Sequence, residues 1–79
     1  MKHLRAHTGK LEIIERLKNS VNGNPRYLVM VGGLVCRTRP DASYNYDIQN
    51  LDGRTVRVEI GTYYGRATIA SIQGVKACN

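Results

Sequence analysis

Catalysis needs reactive side chains held at fixed offsets, and few residues of this chain meet that demand. Asp41 and Asp47 do not share a helix face, and Glu12, Glu15 and Glu59 each have a cation close in sequence. No carboxylate pair is therefore set up for general acid and base work. Neither His3 nor His7 lies near a candidate nucleophile, and Gly32-Gly33 and Gly53 lack the spacing of a phosphate-binding loop. We read the chain as non-enzymatic and expect no cofactor.

The residues that stand out are arginines and tyrosines. Twelve Lys and Arg face six Asp and Glu, giving a net charge of +6, and eight of the twelve cations are Arg. Arg presents a planar fork of donors to phosphate or carboxylate and stacks on flat rings. Five Tyr stand beside neither Trp nor Phe. One group of these residues points to nucleic acid. Lys18 and Arg26 flank the first long loop, Arg37 and Arg39 lie on and just after the third strand, and Tyr63, Tyr64 and Arg66 sit in the last turn. Bases stacked on Tyr in such a setting are worth about 1 to 3 kcal/mol each. The plainer reading is that Tyr63 and Tyr64 widen the turn and one of them caps the core. Tyr44 and Tyr46 are two apart, so in a helix they face different sides: one packs on the core, and the other is exposed or anchors a protein partner.

His3 and His7, followed by Thr8-Gly9-Lys10, resemble the last helical turns and linker of a C2H2 zinc finger. The Cys-x2-Cys half of that motif is absent, so only two of four tetrahedral ligands stand together. Cys36 and Cys78 complete no recognisable spacing, and we expect no metal. A disulfide between them would pin the end of the chain beside a central strand, and nothing suggests secretion. Residues 1–10 carry Lys2, Arg5 and Lys10 with no acid. They show no apolar periodicity and no leader-like apolar stretch, so they read as a flexible basic arm, with residues 11–79 as one small domain. The chain holds no apolar run of about 18 residues, the length a membrane helix needs. We expect a cytoplasmic protein with no membrane contact.

The elements that must position these residues are mostly strands. Leu11 to Leu17 fits either a helical stripe or a strand, and we favour a strand because the following strands need partners. Asn19 to Pro25 is the strongest loop signal. Arg26 to Val31 alternates, with Tyr27, Val29 and Val31 on one face, and Gly32-Gly33 turns it back into Leu34 to Thr38. Pro40 to Gln49 reads as a short helix. Thr55 to Thr62 alternates with Val56, Val58 and Ile60 inward, and Ala67 to Ile72 is the last strand, its Ile69 and Ile72 spaced for a bulge. The fold class is mainly β: a small five-stranded partly open barrel, OB-like or SH3-like, with one short helix between strands 3 and 4. In an OB-type barrel, the loops joining the first two and the last two strands frame one binding groove.

Asn22-Gly23-Asn24-Pro25-Arg26-Tyr27, Pro40-Asp41-Ala42-Ser43 and the blocks around Gly53-Arg54 and Gly65-Arg66 resemble a group of small uncharacterised proteins encoded by phages of actinobacteria. The resemblance runs from Arg16 to Ile72 and leaves out residues 1–10. It implies a setting in bacterial host cytosol and carries over no activity. The expected function is a small binding module, most favourably for nucleic acid through the Arg and Tyr face. The alternative is a module that binds or inhibits a host protein, and a self-associating structural role is a third. Monomer and homodimer both remain open.

Overall fold

The computed structural model describes residues 2–75, with side chains described from residue 4. Alternation sets most of the architecture. In β4 (Thr55–Tyr63), Val56 and Val58 are fully buried and Ile60 nearly so, while Thr55, Arg57 and Glu59 are exposed. In β2 (Arg26–Val31), Tyr27, Val29 and Val31 are buried and Leu28 and Met30 half-buried. The chain turns through Gly32 (φ +53) and Gly33 (φ +86) into β3 (Leu34–Thr38), pairing Val31 with Leu34. Two consecutive positive φ values define the mirror-image turn that matches strand twist, and glycine adopts it without a Cβ clash.

β1 (Lys2–Leu17) is longer than the sequence suggests. The expected arm of residues 1–10 is corrected here, because its described part forms a ladder with β4 from Lys2↔Thr62 to Lys10↔Thr55. The second half of β1 pairs with β2, from Leu11↔Val31 to Leu17↔Arg26. Gly9 makes the changeover possible: a Cβ there would lie 2.5 Å from Gly32 Cα, so β1 passes the β2–β3 turn in close backbone contact. β5 (Arg66–Gly74) pairs antiparallel with β4 and skips Ala70 between Ile60↔Ile69 and Glu59↔Ser71, which is the expected bulge.

The barrel closes in the order β1-β2-β3-β5-β4. Its seam is a two-rung parallel contact, Arg37↔Thr68 and Thr38↔Ile69, so the expected partly open barrel is closed through a short join. The expected helix is instead two 3-10 turns, Ser43–Tyr46 and Ile48–Leu51. Asp41 takes φ +64 and Ala42 is extended, so no helical backbone precedes Ser43. Asn45, Asp47 and Asn50 then disfavour a continuous helix by competing for backbone groups. These turns lie between β3 and β4, where the OB-type alternative places its helix. They pack on the core through Ile48, fully buried, and Leu51, half-buried against it.

The core is Leu11, Tyr27, Val29, Val31, Cys36, Ile48, Val56, Val58, Ile60 and Ile69. Burial of each large aliphatic side chain contributes roughly 1.5 to 3 kcal/mol. Burial also pushes the Cys36 thiol up to about 11, so it stays protonated at neutral pH and packs as a small apolar group. Cys78 and the side chain of His3 lie outside the described residues, and with them the disulfide and metal questions raised by the sequence. None of the helices described is long and apolar enough to cross a membrane.

Candidate functional site

Two connections rise at the same end of the β2-β3-β5 face. One is the loop between β1 and β2, centred on Asn19 to Pro25. Within it, Gly23 N–H donates to the Ser20 carbonyl and Ser20 N–H to the Asn24 carbonyl, both at 2.9 Å. Arg16 braces its start, with the guanidinium 5.5 Å from the Tyr27 ring centroid and Nη2 donating to Asn19 Oδ1 at 2.7 Å. The other is the tip of the β4–β5 hairpin, Tyr64 and Gly65, at φ +50 and +73.

Asp41 holds the first loop. Its carboxylate accepts hydrogen bonds from Ser20 Oγ at 2.5 Å, Asn24 Nδ2 at 2.7 Å and Asn22 Nδ2 at 2.9 Å. The bond from Ser20, then those from Asn24 and Asn22, pull the Asp41 carboxyl below its ordinary range. Tyr46 adds a bond from its hydroxyl to Asn24 Oδ1. The loop is thus tied to the segment after β3 by one charge and one tyrosine hydroxyl.

Between loop and hairpin lies an open groove of about 450 Å³. Thr38 and Thr68 form its floor, both buried. Arg26, Arg37 and Arg66 project around it, and Tyr63 and Tyr64 form the wall opposite Ser20 and Val21. The Tyr rings meet edge to face, with centroids 4.6 Å apart and planes at 82°. Tyr64 is 87% exposed. Among the described residues the single ion pair is Lys10 with Glu12, so none of the three groove arginines is in ion-pair contact with a carboxylate, although Asp41 also lines the groove. Arg26 is half-buried, with Nη1 reaching the Lys18 carbonyl at 3.4 Å and Nε unpartnered. An exposed cationic groove with a protruding ring can hold a phosphate backbone and stack a base.

Five of the seven residues expected to meet nucleic acid therefore come together: Arg26, Arg37, Tyr63, Tyr64 and Arg66. Lys18 and Arg39 do not line the groove; both are exposed, and their described bonds run through their backbone. Tyr44, expected as a possible partner anchor, packs on the core. Its hydroxyl accepts from Arg39 N–H at 2.6 Å and donates to the Ile69 carbonyl, and burial raises it to about 12. Tyr46, its companion, is 65% exposed. Sequence reasoning missed Asp41 as the loop clamp and Val21, fully exposed on the groove rim. The signal for Asp41 was the cluster of Ser20, Asn22 and Asn24, three polar side chains in one loop in want of an acceptor. His7 is engaged with the Val31 carbonyl at 2.8 Å. No group of three or more potential metal ligands occurs among the described residues.

Fold and site together define a small five-stranded barrel with a cationic, tyrosine-walled groove at its loop end. No family model matches the chain, and no curated protein or solved structure matches it.

Proposed function

We propose that this protein is a nucleic-acid-binding module that takes a single strand in the groove between the β1–β2 loop and the β4–β5 hairpin. One observation carries the reading: Arg26, Arg37 and Arg66 converge on a single groove whose rim lifts Tyr64 into solvent in left-handed backbone. A non-glycine residue at φ +50 is strained, and such strain clusters at ligand sites. Three phosphates contacted in a single strand give a logarithmic salt slope of about −2. The reading implies no cofactor, and it fits the bacterial cytosol that the sequence resemblance suggests.

The test is fluorescence anisotropy with labelled oligonucleotides across a salt series. Salt-sensitive binding is expected for single strands, weakened at least tenfold by Arg66→Glu, which replaces attraction with repulsion at one phosphate. No binding at micromolar protein and low salt would overturn the proposal. A second reading, a docking module for a host protein, rests on the surface adjoining the groove, where Leu28 pairs with Arg37. Ile14 on β1 and Val35 on β3 are each about half exposed on the outside of the barrel, with Leu28 and Met30 half-buried on the strand between them. A nuclease-insensitive stoichiometric partner in a pulldown, lost in Val35→Glu, would favour that reading instead.

A further inference from the structure

The β4–β5 hairpin has a second face. Tyr63 pairs with Arg66, and the next rung joins Thr62 to Ala67. Neighbouring residues of a strand point to opposite sides, so the groove takes the Tyr63 and Arg66 side while Thr62 and Ala67 look the other way. On that side, Thr62 and Ala67 line an open cleft of about 500 Å³ together with Leu4 and Arg5 of β1. The β1–β4 register places Arg5 opposite Ile60, and a further opening of about 290 Å³ flanks it between His7 and Leu34. Arg5 is exposed, and among the described residues it makes no ion pair. The hairpin is therefore a ridge with Tyr64 at its crest and an arginine-bearing cleft on either flank.

The geometry points to a second phosphate subsite at Arg5, reached by the same strand after it leaves the groove and crosses Tyr64. This inference rests on the nucleic-acid reading and deepens it by assigning path and length. The groove alone holds a short segment, whereas a strand that crosses the ridge extends toward the longer part of the range of about 4 to 16 nucleotides known for barrels of this kind. It also gives the first half of β1 a role beyond pairing. That half carries positive charge without any acid before Glu12, and it lies beside the hairpin that walls the groove.

Binding of oligothymidylates of about 4, 8 and 12 nucleotides, lengths within that range, tests the subsite in the wild type, Arg5→Ala and Arg5→Glu. The wild type should gain affinity with length. Both variants should keep the wild-type affinity for the shortest oligonucleotide, which also shows that the fold is intact, and lose the gain with length. For the longest one, the logarithmic salt slope should fall by about one. An undiminished gain with length or an unchanged slope in Arg5→Glu overturns the subsite. Equal weakening at every length overturns it too, because Arg5 would then act on the groove rather than beyond it. Absence of wild-type binding at every length is a separate result, and it removes the nucleic-acid reading itself.

Discussion

The two walls of the groove are built on opposite principles. The β1–β2 loop is long and polar, and it owes its shape to hydrogen bonds that meet on the Asp41 carboxylate. The β4–β5 hairpin turns in two residues, and its shape comes from the ladder on which it sits, which holds Tyr64 at φ +50. One wall can be loosened by removing a charge. The other is stiff and stores backbone strain. A groove with one compliant and one rigid wall can keep a stacking ring in place while its opposite rim adjusts to the ligand.

The largest effect is expected at the rigid wall. Tyr64→Ala should weaken binding of a single strand by about 1 to 3 kcal/mol, read by anisotropy, with a loss of thermal stability limited to its edge-to-face contact with Tyr63. Unchanged affinity would mean that the strained tyrosine is not a stacking platform. At the compliant wall, Asp41→Ala should change binding less, because loosening the loop is opposed by removal of a negative charge from the groove lining. Its signature lies in hydrogen exchange: the amides of Gly23 and Asn24 should exchange faster while those of Val29 and Val58 hold. Uniform exchange across the barrel would show that the clamp supports the whole fold rather than one loop.

Acid should reproduce that loosening. The Asp41 carboxyl is lowered from its ordinary 3.8, so its contribution is complete above that value and is lost as pH falls through the lower folded-state value. Side-chain amide signals of Asn22 and Asn24 should hold steady from neutral pH to about 4 and move only below it. Movement near pH 6 would implicate another group. The smallest effect is relief of strain: Tyr64→Gly should raise stability by no more than about 1 kcal/mol, because glycine's greater unfolded freedom offsets part of the gain. A lower melting temperature would show that the edge-to-face contact with Tyr63 outweighs the strain.

The same contrast explains what the sequence revealed. β2, β3, β4 and β5 were legible because strict alternation and the Gly32-Gly33 pair are local signals. The first half of β1 was not. Leu4, Arg5, Ala6 and Thr8 are all exposed, so no apolar alternation marks the strand, and its partner Thr55–Tyr63 lies far along the chain. The tyrosine wall could be read because Tyr63, Tyr64 and Arg66 are neighbours in sequence. The loop wall needed Asp41 to meet Ser20, Asn22 and Asn24, some twenty residues earlier, through a backbone conformation that the Pro40-Asp41-Ala42 pattern had suggested was helical. Lys18 and Arg39 fall outside the groove lining for a related reason: closeness in sequence to the groove does not decide which way a side chain leaves a loop.

The claim that everything else depends on is that Arg26, Arg37 and Arg66 act as one surface. Titrating ¹⁵N-labelled protein with oligothymidylate at low salt and following amide shifts tests it most directly. Changes are expected to concentrate at Ser20, Val21, Arg26, Arg37, Tyr64 and Arg66. Shifts absent throughout, or centred on Ile14 and Met30 with none at Tyr64 and Arg66, would contradict it.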